Sequence, residues 1–141
     1  MKNFIISICL LATSGVAFSQ NKAENIAVDK VRALPETKSF MHTARKSQPE
    51  LMVARKPDRD FNYYWIKVGL ANLEQFRTSM DFYVDAKTGK IFYLDLITGD
   101  ENGEQLLTLT QWRKWRKLPA WQQLHCFTGS GKNLKFKACD P

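Results

Sequence analysis

Residues 82 to 95 read FYVDAKTGKIFYLD, and this stretch decides the fold of the chain. Alternating aromatic, β-branched and polar residues flank a short polar segment that contains Thr88, Gly89 and Lys90. Asp85 can accept hydrogen bonds from the backbone N–H groups that follow it, which starts a turn. Gly89 can adopt the positive φ that a short hairpin loop requires. The stretch therefore predicts two antiparallel strands joined by a tight turn.

The Gly89-Lys90 pair also occurs at the end of a phosphate-binding loop, whose pattern is G-x-x-x-x-G-K-[ST]. The first glycine of that pattern, which bends the strand, has no counterpart in this chain. Ile91 follows Lys90 where the pattern needs a hydroxyl residue to bind Mg²⁺, and the sequence continues as a strand rather than a helix. The stretch therefore predicts no nucleotide cofactor.

The segments on either side of the hairpin predict the rest of an antiparallel sheet. Residues 61–70 (FNYYWIKVGL) and 75–86 (QFRTSMDFYVDA) alternate in polarity, as do residues 90–97 (KIFYLDLI). A short strand is expected at Leu51–Ala54, between two prolines. One face of these strands is apolar, whereas the other carries polar residues and tyrosines. This alternation is typical of a sheet of three to four strands with a single covered face.

Helices are predicted before and after this sheet. In residues 23–46, one face at helical spacing carries Ala23, Ile26, Ala27, Val31 and Leu34. Pro35 predicts a break at Leu34 and the start of a second helix. Residues 106–118 (LLTLTQWRKWRKL) predict a short strand and then a helix with Thr110 as N-cap, ended by Pro119. The fold class is therefore α+β.

The hairpin also resembles the strand–turn–strand of PepSY-type domains, whose sheet ends in a pattern like Y-V-D-x-x-T-G-x-I. The matching residues are Tyr83, Val84, Asp85, Thr88, Gly89 and Ile91. The resemblance covers roughly residues 22–97. It implies a cystatin-like helix on an antiparallel sheet, and a non-catalytic exported or membrane-associated module of the kind that restrains peptidases. The tail, with three tryptophans and two cysteines, lies outside the resemblance.

The first twenty residues indicate export. Lys2 precedes a short apolar run from Phe4 to Leu11, and the small residues of Ala17-Phe18-Ser19 favour cleavage before Gln20. Ile8 precedes Cys9, where a lipid-anchored protein needs a small residue. We therefore expect a signal peptide at residues 1–19 and one domain at 20–141, in the periplasm or secreted. The alternative is a buried N-terminal helix.

The C-terminal cysteines, Cys126 and Cys139, predict a disulfide that closes the tail, as is common in exported proteins. The rival interpretation is a metal pair, but His42 and His125 lack zinc spacing. The loop at residues 99–104 (GDENGE) lacks the ligand spacing of a calcium loop. Neither a nucleophile elbow nor a convincing carboxylate pair is present. We therefore predict no metal, no cofactor and no enzymatic activity.

Two functional hypotheses remain, and both are non-catalytic. After removal of Lys2 with the signal peptide, 20 Lys and Arg face 14 Asp and Glu, so the charge favours acidic partners, nucleic acid least of all. In the first hypothesis the chain is an inhibitor or immunity-type partner of an exported protein. Its expected contacts are the tyrosines on the polar sheet face, Tyr63, Tyr83 and Tyr93.

In the second hypothesis a basic, tryptophan-rich helix binds an anionic envelope polymer or a membrane surface. The residues that would do so are Arg113, Lys114, Arg116 and Lys117. The competing interpretation makes Trp112 and Trp115 part of the core and leaves the basic residues as a solvated face. The identity of the partner and the oligomeric state do not follow from either interpretation.

Overall fold

A computed structural model of the chain describes residues 15–72, 75–99 and 103–139. These residues form three α-helices and seven strands, in an α+β arrangement as predicted. In chain order they are α1 (Gly15–Arg32), α2 (Pro35–Thr43), β1 (Pro49–Arg55), β2 (Tyr63–Ala71), β3 (Phe76–Asp85), β4 (Ile91–Asp95), β5 (Gln105–Thr108), α3 (Leu109–Trp115), β6 (His125–Thr128) and β7 (Lys135–Ala138).

The main sheet has five antiparallel strands in the sequential order β1-β2-β3-β4-β5. The sequence predicted three to four strands. The fifth strand is β5, which pairs with β4. The strands β6 and β7 form a separate antiparallel pair in the tail. The sheet is therefore a simple meander, with the C-terminal helix and hairpin following its last strand.

The hairpin at residues 82–95 forms as predicted. The Asp85 Oδ1 atom accepts hydrogen bonds from the backbone N–H groups of Lys87 (3.0 Å) and Thr88 (2.7 Å). Gly89 has a φ of 67°, which a residue with a side chain rarely adopts. The Lys30 Nζ atom donates to the Gly89 carbonyl oxygen at 3.0 Å, so the turn is also attached to α1.

Helices α1 and α2 cover one face of the sheet. The predicted break is confirmed, because α1 ends at Arg32 and Pro35 begins α2. Ala27, Val31 and Leu34 are buried as the helical spacing predicts, whereas Ile26 is 50% exposed. The helices meet strand residues that alternate inward, and the buried apolar residues of β2, β3 and β5 in this core are Ile66, Val68, Phe82, Val84 and Leu107.

Helix α3 begins earlier than predicted. Thr108, not Thr110, is the N-cap, so that prediction is wrong. The Gln111 backbone N–H donates to Thr108 Oγ1 at 3.2 Å, and the Thr108 N–H donates to Gln111 Oε1 at 2.9 Å. This reciprocal capping box starts the helix directly where β5 ends. The helix also ends earlier than the predicted stop at Pro119, because its last residue is Trp115. Pro119 instead begins a separate 3₁₀ turn.

The predicted disulfide joins Cys126 and Cys139 and cross-links β6 to the end of β7. The partners are 13 residues apart in sequence, a loop for which the chain-entropy estimate gives about 3 kcal/mol of stabilisation. Gly99 lies directly against this cross-link, because a Cβ atom placed there would be 2.7 Å from Cys139 Sγ. The segment that leaves β4 is therefore packed on the disulfide.

Candidate interaction surface

The face of the sheet opposite the helices carries a set of partly exposed rings. Side chains alternate along a strand, so the register that pairs Ile66 with Phe82 in the core places Trp65 beside Tyr83 on the other face. Tyr83 in turn pairs with Phe92 of β4. We call the cluster on this side the aromatic face, and its members are Phe61, Tyr63, Trp65, Tyr83 and Phe92.

The rings of the aromatic face contact one another continuously. Tyr63 stacks on Tyr83 with a centroid distance of 5.3 Å and an interplanar angle of 26°. Phe61 meets the edge of Tyr83 at 5.2 Å. Two further rings extend the cluster. The Trp65 ring lies 5.8 Å from that of Tyr83, and the Phe92 ring lies 6.1 Å from that of Tyr63. Such pairs hold each ring in place before any partner binds.

A cation lies over three of these rings. The pairs are Arg55 over Phe61 at 4.1 Å, Lys67 over Trp65 at 4.8 Å and Lys90 over Phe92 at 5.0 Å. Each distance is within the range of cation–π attraction. The aromatic face is therefore bordered by positive charge and can contact apolar and acidic groups together.

A partly buried hydrogen bond fixes the tryptophan of this face. The Trp65 Nε1–H donates to Asp81 Oδ1 at 2.7 Å. Burial raises the pKa of the Asp81 carboxyl, an effect that the bond from Trp65 opposes. Burial also raises the pKa of the Tyr83 hydroxyl, and the Glu104 carboxylate adds to that rise. The Tyr83 hydroxyl is therefore a hydrogen-bonding group and not a charge at neutral pH.

Tyr93 does not belong to the aromatic face, so the expectation that Tyr63, Tyr83 and Tyr93 share one face is wrong. The register pairs Tyr93 with Phe82, which places it on the helix side. Its ring stacks on Trp112 at 4.4 Å, with an interplanar angle of 7°. Burial raises the pKa of its hydroxyl far above the ordinary value. Tyr93 is thus a partly buried residue that packs against the core.

The four basic residues of the predicted helix site divide into two groups. Arg113 donates two hydrogen bonds to the Glu36 carboxylate, at 2.7 Å and 3.0 Å. The Arg116 guanidinium lies 4.5 Å from the centroid of the Trp112 ring. Lys114 and Lys117 are exposed. Arg113 and Arg116 therefore make contacts within the protein, while Lys114, Arg116 and Lys117 all remain exposed.

The two tryptophans of α3 are core residues, as one of the two interpretations of the sequence predicted. Trp112 is 3% exposed and Trp115 is 7% exposed. Trp115 packs against Phe127 of β6 and Phe136 of β7, at centroid distances of 5.6 Å and 5.9 Å. The tail thus packs on α3 through aromatic rings, with the basic residues outside.

The ion pair between α2 and α3 gives a pH-dependent prediction. Hydrogen bonds from Arg113 hold the pKa of Glu36 below its ordinary value of 4.5. The pair therefore contributes stability above pH 4.5 that is lost as the pH falls through the lower folded pKa. We expect Glu36→Gln to cost up to about 1 kcal/mol at pH 7, because solvent screens a partly exposed pair.

This prediction is measured by urea unfolding of both proteins between pH 3 and pH 7. The free energy of unfolding of wild type should approach that of Glu36→Gln as the pH falls below about 4.5. The matched control is Glu50→Gln, since Glu50 is an exposed glutamate on β1. A constant difference between wild type and Glu36→Gln across this range would contradict the role given to the ion pair.

One buried polar pair had no signal in the sequence. His125 Nε2 lies 2.6 Å from Asp95 Oδ2, and both residues are almost fully excluded from solvent. His125 Nδ1 lies 2.8 Å from the Gln123 carbonyl oxygen. The ring stacks on Trp121 at 4.6 Å. His125 is therefore a satisfied core residue that joins β4 to the tail, while His42 is exposed.

Several predicted features lie partly or wholly outside the described ranges. These are the first 14 residues of the signal peptide and the loop residues Asp100, Glu101 and Asn102. Within the described residues, no three His, Cys, Asp or Glu side chains come together in a way that could hold a metal ion. No described helix has the length and apolar character needed to cross a membrane.

The chain was compared with known proteins at the level of families, sequences and structures. In these comparisons no family model, no curated protein and no solved structure matches it significantly.

Proposed function

We propose that this chain is a non-catalytic exported binding protein, which holds another exported protein as an inhibitor or immunity-type partner. The observation that carries the proposal is the aromatic face: five contacting rings, three of them beneath cations, on the side of the sheet away from the helices. Tyr and Trp are enriched among the residues that dominate binding energy at protein interfaces.

The construction of this face also supports a role in binding. The rings stand on three neighbouring strands or next to them, and their mutual contacts restrict rotation. The hydrogen bond from Trp65 to Asp81 adds a further restraint. Side chains that are ordered before binding lose little conformational entropy when a partner arrives. Rigid aromatic anchors of this kind suit a tight protein interface.

The PepSY-like resemblance supports the same proposal, because it implies an exported, non-catalytic module that restrains another protein. Export itself is part of the proposal, with cleavage before Gln20. Cleavage there would shorten α1 to residues 20–32 and leave Ala27 and Val31 in the core. The Cys126–Cys139 disulfide supports an oxidising location for the folded protein.

Capture of a partner from cell-envelope extract tests the proposal. The bait is the oxidised protein, and the comparison is between wild type and Tyr63→Ala/Tyr83→Ala. We expect wild type to retain one partner in stoichiometric amount, and the variant to bind it at least about 30-fold more weakly, since a hot-spot residue contributes about 2 kcal/mol or more. Ile26→Ala is the control, because it removes an exposed apolar group from α1.

Retention of the partner by Tyr63→Ala/Tyr83→Ala at unchanged affinity, with far-UV spectra matching wild type, would refute the proposed face. Wild-type protein that captures no stoichiometric partner would refute the function itself. Both outcomes are independent of knowing the partner in advance.

The alternative function, binding to an anionic polymer or a membrane surface, is favoured by the distribution of charge. Residues 105–139 contain seven Lys and Arg and no Asp or Glu, whereas residues 20–104 contain 13 of each sign. The net positive charge is therefore concentrated in the tail. Two results together would favour this alternative. Binding to envelope material would fall steeply as the salt concentration rises, and the tyrosine substitutions would leave that binding unchanged.

A further inference from the structure

A groove lies where the sheet meets the tail, next to the aromatic face. Lys90 and Phe92 of the hairpin line one side of it, and Leu106 lies on β5. Thr110 and Lys132 line the side formed by α3 and the tail. We propose that this groove binds an acidic segment of the protein partner, one that carries an apolar side chain between its carboxylates. This inference rests on the proposed function and names the chemistry of the partner.

The groove is continuous with the aromatic face. Phe92 belongs to both, since its ring lies 6.1 Å from that of Tyr63. A partner that covers the tyrosines can therefore extend a segment into the groove without leaving the surface. Phe92 and Leu106 form an apolar floor, which matches an aromatic or aliphatic side chain.

Two lysines, Lys90 and Lys132, line the groove together with this floor. The Lys90 ammonium group lies 5.0 Å from the centre of the Phe92 ring. Lys132 lies in the 3₁₀ turn Gly131–Asn133, and the Gln111 side-chain amide donates to the Gly131 carbonyl oxygen at 3.1 Å. Gln111 is itself held by the capping box of α3. The turn that carries Lys132 is therefore attached to the helix beside the groove.

The charge of the groove is positive and uncompensated by its own lining. The described residues that line it include both lysines and no aspartate or glutamate. The tail that contributes Lys132 has no acidic residue between positions 105 and 139. Carboxylates of a partner would therefore meet two cations there, and complementary charge raises the rate and specificity of association.

The combination of floor and border favours a peptide over other polyanions. A polyphosphate chain or a lipid headgroup surface can contact Lys90 and Lys132, but neither offers an apolar group of side-chain size to Phe92 and Leu106. An acidic peptide with a tyrosine or a similar residue satisfies both parts of the groove. The ligand class is therefore an acidic–aromatic protein segment.

Direct binding to defined polymers tests this inference with the full oxidised chain. The probes are a labelled glutamate–tyrosine copolymer, inorganic polyphosphate of equal charge and phosphatidylglycerol vesicles, with binding followed by anisotropy, calorimetry and co-sedimentation respectively. We expect the copolymer to bind most tightly. Lys132→Glu should weaken copolymer binding by about fivefold, the factor that corresponds to the upper value for one exposed ion pair.

The matched control is Lys135→Glu, which changes the net charge by the same amount at an exposed position of β7 that does not line the groove. Its copolymer affinity should stay within about twofold of wild type, because only general charge is altered. Equal losses in Lys132→Glu and Lys135→Glu would overturn the inference, as would polyphosphate or vesicles binding as tightly as the copolymer.

The outcomes also separate this inference from the proposed function. Absence of copolymer binding, together with tyrosine-dependent capture of a partner, would reject the groove and keep the function. The opposite result is copolymer binding that depends on Lys132, with partner capture unchanged by the substitutions at Tyr63 and Tyr83. That result would support the proposed chemistry of the groove and reject the aromatic face as the main contact.

Discussion

Replacement of Trp112 by alanine should lower the free energy of unfolding by about 3–5 kcal/mol, the usual cost of removing a buried aromatic ring. The Trp112 ring stacks on Tyr93 and receives the edge of Phe82 at 5.5 Å. Removing it would leave a cavity between α3 and the sheet that these neighbours can fill only in part. It would also remove the ring over which the Arg116 guanidinium lies.

Urea unfolding of the oxidised protein measures this loss. The control is Lys114→Ala, on the same helix but exposed, which should change stability by less than about 0.5 kcal/mol. A Trp112→Ala protein as stable as wild type that no longer binds envelope material would identify the ring as a surface anchor. That result would move the functional site from the aromatic face to α3.

Replacement of His125 by alanine should cost about 3 kcal/mol or more, because it leaves the buried Asp95 carboxyl without its main partner. Asp95 Oδ1 still accepts a hydrogen bond from the Ile97 N–H at 3.0 Å, but Oδ2 loses the imidazole at 2.6 Å. The packing of the ring against Trp121 and Phe136 is lost as well.

A double-mutant cycle separates the polar contact from the packing. We expect Asp95→Leu/His125→Leu to cost less than the sum of the two single changes, with a coupling of at least about 1 kcal/mol. His42→Leu is the control, since that histidine is exposed and should change stability by less than about 0.5 kcal/mol. Additive losses in the cycle would contradict the role of the pair in joining β4 to the tail.

The parts of the fold that could be predicted from the sequence have local causes. The hairpin turn depends on Asp85 and Gly89 within a few residues, and the helix break depends on Pro35 alone. The disulfide followed from an even cysteine count after removal of a signal peptide. In the hairpin and the helix break, a short stretch of chain contains all the groups that determine the structure.

The parts that were missed depend on pairing between distant segments. In residues 90–97 the face with Phe92 is the more apolar, so polarity alone placed Tyr93 on the open face, whereas the pairing of Tyr93 with Phe82 puts it on the helix side. The N-cap of α3 was predicted two residues late, because Thr108 and Thr110 have the same chemistry and only the end of β5 distinguishes them.

The candidate site was predictable in the same limited sense. Tyr63 and Tyr83 were expected on one face and lie there, stacked on each other. Trp65 and Phe92 also belong to the aromatic face. The pairing register that brings them next to the tyrosines depends on three strands together, so no single strand predicts it. Asp95 and His125 are 30 residues apart, and no motif connects them.

The attachment of the segment after β4 to the cross-linked tail has a consequence for when the fold is completed. Gly99 donates its N–H to the His125 carbonyl oxygen at 2.8 Å and packs on the disulfide, so the segment that follows β4 is held by the cross-linked tail. A newly made chain with free thiols lacks that cross-link. If the chain is exported as we propose, the segment after β4 would gain this support only after translocation, once the cysteines are oxidised.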